Sequence, residues 1–363
     1  MKKILFICLV WLPVLLVAID ADISFIVADL KYNARDGVKI CELQTGGKSN
    51  ILGPDTVQGK KGFFGHLFAE SLIQKVPRIW FLKRDVLNSK TREALEKVGG
   101  KEFRSFETLL NAPSFIKVCQ RIPQNPKNLY EYQGIVLAAP YKISKALPEE
   151  YPGVIFIDRA FYSCINNKHL VAKALDKVPE ARSLRPAWGL YPKNGDEKVV
   201  QKILKEIPSE VLVLKPMNQT LGRGLIIVRR EKLSAVIKEL FDKHEGRNYE
   251  GWNSDNSEEF LVEAFIPSDP VILSDKEDQA YDATMRVTLL FSYSKGMPSL
   301  EVFEGHWKLP GKSLQSKGTL MEKHQSLTEA PRYHKVDDEV LVEVKRELQA
   351  GLIPFYQSLL KVM

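Results

Sequence analysis

Residues 209–241 read SEVLVLKPMNQTLGRGLIIVRREKLSAVIKELF, and this stretch carries the most regular pattern of the chain. It predicts a strand that ends at Lys215, a loop that contains Gly222 and Gly224, a returning strand and a helix. Glycine lets a backbone approach a ligand closely, so that N–H groups can contact phosphate while a lysine supplies positive charge. The stretch therefore predicts a glycine-rich hairpin between two antiparallel strands that can hold phosphate.

Two common phosphate-loop motifs do not occur in this sequence. The pattern GxxxxGK[ST] fails at residues 311–313 because Gly305 lies one residue too early, and it fails at residues 46–49 because Glu42 occupies the place of the first glycine. The pattern GxGxxG is absent as well. If the chain binds phosphate, the glycine hairpin is the predicted place.

Outward from this hairpin, helix-like and strand-like segments alternate and predict an α/β (α+β) fold with mixed sheets flanked by helices. The polar stretch NYEGWNSDNSEE at residues 248–259 predicts a surface loop, and the C-terminal helical region is expected to break near Pro354. The predicted regions are a leader (1–21), a β-hairpin with its exit loop (22–60), an α/β lobe with a partly parallel sheet (61–155), a core that contains the glycine hairpin (156–330) and C-terminal helices (331–363).

The leader reads MKKILFICLVWLPVLLVAIDA and has the order of a secretory signal peptide: two lysines, an apolar run, then small residues at Ala18 and Ala21. The apolar run from Ile4 to Ile19 has 16 residues, fewer than the ~20 that span a bilayer. We therefore expect cleavage after Ala21 and export to a periplasmic or extracellular space, with no other membrane contact. An uncleaved anchor, a buried first strand and a start codon assigned too early are the alternatives, and the last would leave the protein in the cytoplasm.

The charge balance excludes some classes of partner. Lys and Arg total 52 against 45 Asp and Glu, which gives a net charge of +7. Because these charges are interleaved rather than gathered in a stripe, we expect no nucleic-acid partner. Four cysteines, of which Cys8 lies in the leader, are too few and too widely spaced for a disulfide framework or a zinc site. We expect Cys164 to be a core residue.

A second hairpin is predicted near the N-terminus, where residues 25–47 read FIVADLKYNARDGVKICELQTGG. The Asp-Gly pair marks the turn between two strands. Asp29 lies on the first strand, and Glu42 and Gln44 lie on the second. Carboxylate and amide oxygens on adjacent strands can ligate Mg²⁺ if they share a face of the sheet.

The order and spacing of these segments resemble the ATP-grasp superfamily, in particular the carboxylate–amine ligases similar to glutathione synthetase and D-alanine–D-alanine ligase. The resemblance covers roughly residues 22–50 and 155–310. The residues that match the motifs of the family are Lys168 in NNKHL, Lys215 in VLKP, Gly222 and Gly224 in the loop, Glu263 and Phe265 in FLVEAFI, the following Asp269, and Asp282 and Arg286 in YDATMRV.

The resemblance implies an ATP-dependent carboxylate–amine (or carboxylate–thiol) ligase that uses ATP and Mg²⁺ and acts through an acyl-phosphate intermediate. Its substrate would be a small-molecule or peptide carboxylate, and the basic loops hint at an acidic one. Lys215 and Arg286 are the implied catalytic residues. The other implied roles are phosphate binding by Lys168 and Lys215, cover of the triphosphate by the backbone of Gly222 and Gly224, an adenine pocket at Glu263 and Phe265, and ribose binding by Asp269.

The metal motif departs from the pattern of the family, which ends with an Asp on one strand and a Glu-x-Asn on the next. Nothing after Arg286 fits, whereas the N-terminal hairpin offers Asp29, Glu42 and Gln44. The resemblance therefore implies a circularly permuted ATP-grasp chain in which the metal hairpin comes first. Glutamine in place of asparagine moves the amide oxygen by roughly one bond length, which weakens the case for a second metal ion.

Residues 304–324 read EGHWKLPGKSLQSKGTLMEKH and concentrate lysines with Trp, Pro and Gly. This stretch predicts either a clamp for phosphate or an acidic substrate, or an ordinary solvated surface. His306 and His324 lack a third ligand at a useful zinc spacing, and the chain has no GxSxG nucleophile elbow. Zinc chemistry and serine-hydrolase chemistry are therefore rejected.

Two other hypotheses stand beside the ligase. A catalytically inactive ATP-grasp relative could bind a nucleotide or an acidic ligand as an exported sensor or adaptor; Gln44 and the lack of ATP outside the cytoplasm favour this alternative. A secreted basic structural protein, with an accidental resemblance, is the third. An effect of nucleotides on stability would separate the first two hypotheses from the third.

Overall fold

The computed structural model shows a mixed α/β architecture in which the described residues form four sheets flanked by helices, as the sequence predicts. The residues that it describes are 21–46, 52–85, 89–119, 121, 128–139, 143, 147–165, 167–219, 222–241, 250–273, 279–326 and 332–361.

The strands within these residues, in chain order, are β1 (Ala21–Asn33), β2 (Gly37–Thr45), β3 (Ile79–Leu82), β4 (Lys101–Phe103), β5 (Gly134–Leu137), β6 (Val154–Phe156), β7 (Trp188–Pro192), β8 (Val211–Pro216), β9 (Ile226–Arg229), β10 (Glu259–Ala264), β11 (Val271–Ile272), β12 (Ala280–Tyr281), β13 (Thr284–Ser294), β14 (Met297–Leu309) and β15 (Arg332–Lys335). The α-helices within them are α1 (Leu52–Val57), α2 (Phe63–Ile73), α3 (Ser89–Lys97), α4 (Phe106–Leu110), α5 (Pro113–Cys119), α6 (Leu147–Glu150), α7 (Lys168–Asp176), α8 (Pro179–Arg182), α9 (Glu197–Glu206), α10 (Leu233–Phe241), α11 (Glu250–Asn253), α12 (Leu320–His324) and α13 (Asp338–Leu360).

The central sheet has the order β15-β14-β13-β1-β2 and is antiparallel throughout. The N-terminal hairpin β1–β2 forms as the sequence predicts. β1 lies inside the sheet, because β13 pairs with its other edge. Asp29 on β1 and its cross-strand partner Arg286 on β13 are separated by 257 positions in the sequence, so the hairpin is completed by strands from the far end of the chain.

β1 carries a different chemistry on each face. Ile26, Ala28 and Leu30 point to one face and belong to the core that packs under α13. Phe25 points to the other face and packs against the phenylalanine rings of α2. Toward the C-terminal end of β1, the side chains on this second face are charged. We call this charged half the polar face; it carries Asp29 and Lys31 on β1, Glu42 and Gln44 on β2, Arg286 on β13, and His306 and Lys308 on β14.

Helix α13 runs without interruption through Pro354, so the break predicted there is wrong. Proline removes one backbone hydrogen bond and crowds the preceding turn. The neighbouring Leu352, Phe355 and Tyr356 are fully buried in the core with the central sheet, and this packing on both sides of the proline holds the helix together.

The second sheet, which we call the hairpin sheet, has the order β7-β10-β8-β9 and is also antiparallel. β8 and β9 form the hairpin that the sequence predicts around the glycine loop. Helices α9 and α10 cover one face of this sheet and form a separate core with it. The opposite face carries Lys215 and Glu263, and Lys215 Nζ donates to the carbonyl oxygen of Cys41 on β2 at 3.3 Å. The two sheets therefore meet through the polar face.

The third large sheet belongs to the α/β lobe and has the order β4-β3-β5-β6, with every strand parallel to its neighbour. The sequence predicts a partly parallel sheet here, and its short apolar strands are buried as parallel strands usually are. Phe64 and Phe68 on α2 pack against Phe25, so the lobe rests on the apolar half of the β1 face.

The stretch 248–259 is only in part the surface loop that its polar composition predicts. It contains α11, and Trp252 and Asp255 are 5 % and 6 % exposed. Trp252 Nε1 donates to the carbonyl oxygen of Gly224 at 2.6 Å, and Asp255 accepts from the backbone N–H of Met217 at 2.7 Å. These two residues are buried because they support both ends of the glycine loop.

The predicted leader falls, apart from Ala21, outside the described residues, and so does Cys8. Across the described ranges, no helix has the length and apolarity needed to cross a membrane. Cys41, Cys119 and Cys164 are free thiols, and Cys164 is buried as predicted.

Candidate functional site

One row of polar side chains crosses the central sheet. Glu42 lies directly opposite Asp29, Asp29 opposite Arg286, and Arg286 opposite His306. Directly opposed residues of an antiparallel sheet project from the same face. The row therefore meets the condition that a metal site on this hairpin requires, which is that Asp29 and Glu42 share a face.

Asp29 is held by two cations. Arg286 binds it with two parallel hydrogen bonds, Nε to Oδ1 and Nη2 to Oδ2, both at 2.7 Å, and Lys308 Nζ lies 3.4 Å from Oδ2. Burial alone would raise the pKa of Asp29, but Lys308 and Arg286 together bring it below its ordinary value. The carboxylate is therefore ionised and already neutralised by its neighbours.

Glu42 and Gln44 differ from Asp29 because their side chains have no hydrogen-bond or ion-pair partner among the described residues. Both are partly exposed. Cys41 is an extra residue in β2, where the register shifts between Asp29 and Leu30. Such a bulge re-aims the neighbouring side chains and often lies beside a functional site. The oxygens of Glu42 and Gln44 are thus free to bind a ligand.

Glu263 lies at the centre of a buried charge cluster, although the resemblance implies a place for it in an adenine pocket. Both its oxygens are occupied, one by Lys215 Nζ and the other by Arg185 Nη2. Burial would raise the pKa of Glu263, but Lys215 and Arg185 lower it. Arg185 also donates to the carbonyl oxygen of Ile40 at 3.1 Å. The cluster therefore joins the hairpin sheet to β2, and the adenine role of Glu263 stays a prediction.

Lys168 is the first residue of α7, which begins after Asn167. The Asn167 side chain accepts hydrogen bonds from the backbone N–H groups of His169 and Leu170. Asn167 is therefore the N-cap residue of α7. Lys168 Nζ donates to the carbonyl oxygen of Gln219 in the glycine loop at 2.7 Å. Burial lowers the pKa of Lys168, with a further lowering by Lys215 and an opposite effect of Glu42. The structure thus brings Lys168, Lys215 and Glu42 together beside the glycine loop.

The glycine loop adopts backbone angles that favour glycine. Gly222 and Gly224 have φ of +70° and +71°, a region that other residues enter only with strain. A Cβ on Gly224 would also lie 2.9 Å from Pro216 Cγ. Positive φ and close packing together explain why glycine occupies both positions; residues 220–221 between them and β8 lie outside the described part of the chain.

Phe265 and Asp269 lie beyond the end of β10 and go to different places. The Phe265 ring is partly buried, with its centroid 4.8 Å from the His324 ring. Asp269 is exposed and accepts from the backbone N–H of Ala34 at 2.8 Å, so it holds the turn between β1 and β2. The ribose role implied for Asp269 stays a prediction, and in this structure its carboxylate has a structural partner.

Asp282 and Arg286, which the sequence places in one motif, do not pair with each other. Arg286 pairs with Asp29, whereas Asp282 Oδ2 lies 2.9 Å from Lys31 Nζ and 2.6 Å from His324 Nδ1. Asp282 lies in the segment between β12 and β13, whereas Arg286 lies within β13. Each therefore finds an opposite charge on a neighbouring element.

Residues 310–326 connect the two sheets, and we call them the strap. On one side, Gln325 Nε2 donates to the carbonyl oxygen of Gly222 at 3.3 Å, and the Met321 sulfur lies 3.2 Å from the backbone nitrogen of Ile227. On the other side, His324 binds Asp282, and the Ser326 hydroxyl donates to the carbonyl oxygen of Lys308 at 3.2 Å. The stretch that the sequence predicts as either a clamp or a solvated surface therefore spans from the glycine hairpin to the polar face.

From the sequence, no role at this site was assigned to three residues that the structure brings into it: Lys31, Arg185 and His306. Lys31 and Arg185 become visible only when their carboxylate partners are known. His306 is 1 % exposed, and neither ring nitrogen has a hydrogen-bond partner among the described residues. Burial lowers the pKa of His306 to about 3, and the nearby Arg286 contributes to the lowering. A neutral, unsatisfied imidazole beside a charged row is unusual in a folded protein.

A preformed metal cage is not present in the described residues, where no group of three or more His, Cys, Asp and Glu side chains is placed to hold a metal ion. Mg²⁺ binds through one or two carboxylates together with substrate phosphates rather than in an all-protein cage. Glu42 and Gln44 fit that mode with free oxygens. Asp29 does so less well, because two cations already occupy its carboxylate.

Comparison with known proteins finds no matching family model and no matching curated protein. Among solved structures, the chain is similar to a protein assigned as a gamma-glutamylcysteine synthetase from Methylobacillus flagellatus KT, with 10% identity, a TM-score of 0.45, and coverage of 94% of this chain and 90% of that one. A D-alanyl-alanine synthetase A from Vibrio cholerae matches with 14% identity, a TM-score of 0.30, and 55% and 52% coverage. The biotin carboxylase domain of a 2-oxoglutarate carboxylase from Hydrogenobacter thermophilus, solved with MgADP, matches with 13% identity, a TM-score of 0.30, and 67% and 61% coverage. Because these similarities are distant, the function has to be argued from the geometry of the site.

Proposed function

We propose that this protein is an ATP-dependent carboxylate–amine (or carboxylate–thiol) ligase of ATP-grasp type. The observation that carries the proposal is the convergence of Lys168 and Lys215 beside a glycine hairpin, opposite the uncommitted carboxylate of Glu42. Two lysines and a loop of positive-φ glycines can bind the negative charge of a triphosphate. A free carboxylate close to them can bind the Mg²⁺ ion that accompanies the nucleotide.

The electrostatics of this region support a polyanionic ligand. Lys168 is mostly buried, and burial together with Lys215 disfavours its charged form. A phosphate group placed between the two ammonium groups would remove that penalty, because opposite charge restores the preference for the protonated form. The site is therefore more stable with an anion than without one.

Mg²⁺, when bound with the nucleotide, would neutralise phosphate charge and hold the reacting oxygens in place. Glu42 and Gln44 are the residues that would hold it. Asp29 would join them only if its pairs with Arg286 and Lys308 rearranged. The second metal site of the family is correspondingly less favoured here.

The proposed reaction has two steps. An oxygen of the substrate carboxylate attacks the γ-phosphorus of ATP, the bond to the β–γ bridging oxygen breaks, and ADP leaves. The amine (or thiol) then attacks the carbonyl carbon of the acyl phosphate, loses a proton, and phosphate leaves. Lys215 would stabilise the transferring phosphoryl charge, and Arg286, fixed by Asp29, would stabilise the acyl phosphate as an already oriented cation.

The first test is the thermal midpoint of the chain with Mg²⁺ alone, with Mg²⁺ and ATP, and with Mg²⁺ and GTP. A ligand at ~100 times its dissociation constant adds about 2.7 kcal/mol to the free energy of unfolding. We expect ATP with Mg²⁺ to raise the midpoint by several degrees and Lys168→Met to remove the rise. Lys75→Met is the matched control, since Lys75 is a partly buried lysine just after α2 that pairs with Glu301 rather than with a residue of the glycine loop.

The second test detects chemistry. Hydroxylamine traps acyl phosphates as hydroxamates, so incubation with Mg²⁺, ATP, hydroxylamine and a panel of amino acids and short acidic peptides should give a hydroxamate together with ADP. Lack of any nucleotide effect on a folded chain would refute the proposal.

An inactive relative that binds a nucleotide or acidic ligand as a sensor or adaptor is the second candidate. The double pairing of Asp29 favours it, because this carboxylate is the first metal ligand that the resemblance implies. Binding of Mg²⁺ and ATP without ADP or hydroxamate formation for any carboxylate in the panel would favour this candidate over the ligase.

We further propose that the chain is exported through residues 1–21 and that its order of segments is a circular permutation. The leading position of β1 and β2 within a sheet completed by β13 supports the permutation. Mass determination of the N-terminus after expression in a secreting host tests the cleavage expected after Ala21.

A further inference from the structure

An apolar patch lies on the face of the hairpin sheet that is turned away from its core. Val213 and Ile227 are cross-strand partners on the same face as Glu263, and neither belongs to the core under α9 and α10. Met321 of the strap lies against Ile227, and Phe265 follows β10 at the edge of the patch. A flat aromatic ligand group buries its faces on such a surface.

His324 lies at the rim of this patch and presents one free nitrogen. Its Nδ1 lies 2.6 Å from Asp282 Oδ2, and since a carboxylate can only accept, Nδ1 carries the hydrogen. In neutral imidazole, Nε2 then has the lone pair and accepts hydrogen bonds. Nε2 has no hydrogen-bond partner among the described residues, and the His324 side chain keeps 12 % of its surface exposed. Asp282 is itself fixed by Lys31 and by the backbone N–H of Ser268, so the ring is held in one orientation.

The two residues that the resemblance implies for adenine binding, Glu263 and Phe265, already use hydrogen-bonding groups in contacts within the protein. Both oxygens of Glu263 are bound by Lys215 and Arg185. The backbone N–H of Phe265 donates to the carbonyl oxygen of Val211 at 3.0 Å. Neither group can bind a base without breaking an existing contact, whereas Nε2 of His324 can.

We propose that His324, rather than Glu263, accepts a hydrogen bond from the 6-amino group of an adenine base that covers the patch of Val213, Ile227, Met321 and Phe265. The site thus selects a 6-aminopurine over a 6-oxopurine, because an oxo group would point a lone pair at the lone pair of Nε2. This inference rests on the proposed nucleotide function and adds to it the residue that determines base specificity.

The test measures the dissociation constants of MgATP and MgITP for the full chain at pH 8 by calorimetry. ITP differs from ATP at the purine 6-position, where an oxo group replaces the amino group. We expect the wild-type chain to bind ATP about tenfold more tightly than ITP, the difference that one well-made hydrogen bond of about 1.4 kcal/mol gives. In His324→Ala the ratio should fall to within about twofold, with the affinity for ITP retained.

Two further variants keep the test decisive. His324→Gln retains an acceptor and should keep part of the preference, and His334→Ala, on the outer strand β15, should keep all of it. The thermal midpoint without nucleotide shows that each variant is folded. An equal loss of ATP and ITP affinity in His324→Ala, or a preference that this variant leaves intact, overturns the inference while the nucleotide function stands. Absence of binding by either nucleotide to the wild-type chain overturns both.

Discussion

Four carboxylates of the site fall into two groups. Asp29, Asp282 and Glu263 each hold two basic side chains: Arg286 and Lys308, Lys31 and His324, Lys215 and Arg185. Glu42 holds none among the described residues, although it lies directly opposite Asp29. The paired carboxylates join strands and sheets, whereas the unpaired one is available to a ligand. The comparison leads us to expect changes at the paired carboxylates to affect stability and changes at Glu42 to affect ligand binding.

The largest effect is expected at Glu263. Its loss in Glu263→Ala leaves Lys215 and Arg185 buried without their common counter-charge, and removal of one partner of a buried pair costs about 3–5 kcal/mol. Urea unfolding measures this loss. Glu259→Ala, on the same strand but exposed, is the control. Similar stability of the two variants would show that the paired carboxylates are not structural.

The second effect concerns His306, a buried group whose ring nitrogens have no hydrogen-bond partner among the described residues. With a pKa of about 3 in the folded chain and of about 6.5 when unfolded, the unfolded state binds the extra proton between these values. The contribution of neutral His306 to the free energy of unfolding is therefore fully present above pH 6.5, and it is lost as the pH falls toward 3.

The variant His306→Leu isolates this contribution. From pH 7 to pH 5 the wild-type chain should lose about 2 kcal/mol more than His306→Leu does, and at pH 7 the variant should be as stable or more stable because two unsatisfied nitrogens are gone. Chemical unfolding at both pH values measures the difference, with His334→Leu as the control. Parallel pH profiles for wild type and His306→Leu would mean that His306 has partners in solution.

A smaller effect is expected in the glycine loop. Gly224 and Gly59 share a positive φ, +71° and +62°, but a Cβ would meet Pro216 and Trp252 only at Gly224. Both alanine variants acquire the backbone strain of about 1–2 kcal/mol, and Gly224→Ala should lose more because of the contact. Thermal unfolding of the two variants separates strain from packing. Equal losses would show that the loop yields to the added methyl group.

The smallest change in stability is expected at Glu42, where function should change most. Glu42→Gln breaks no contact, so the free energy of unfolding should stay within about 0.5 kcal/mol. The rise in thermal midpoint with Mg²⁺ and ATP should nevertheless be lost or greatly reduced. Asp29→Asn is the contrasting variant and should destabilise the chain even without ligand. A Glu42→Gln chain that keeps the full response to Mg²⁺ and ATP would contradict the role of Glu42.

Most of the fold could be predicted from the sequence because its signals are local. The pattern of apolar residues predicts β1 and β8, and Gly222 and Gly224 mark the loop between β8 and β9. The prediction was wrong where distant contacts decide. Pro354 stays inside a helix because the core packs around it, and Trp252 is buried because it binds the glycine loop.

The site was less predictable than the fold for a related reason. The sequence indicated which charged residues belong to the site, but it could not show which of them form ion pairs with each other. Asp282 and Arg286 are close in the chain and bind different partners, and the partners of Glu263 come from elements 48 and 78 positions away. Contacts between distant segments depend on the complete fold and cannot be deduced from a sequence pattern. For this reason Glu263 was placed beside a ligand from its sequence motif, and its contacts with Lys215 and Arg185 were not predicted.

The central place of β1 has a consequence for how the chain acquires its structure. β1 is synthesised long before β13, so one edge of β1 has no strand partner until β13 follows. Long-range strand pairing of this kind is slow, and an unpaired apolar strand is prone to aggregate. The central sheet therefore cannot be complete until β13 has been synthesised. Fragments that end before Thr284 should accordingly be less soluble than a chain that extends through β13 and β14.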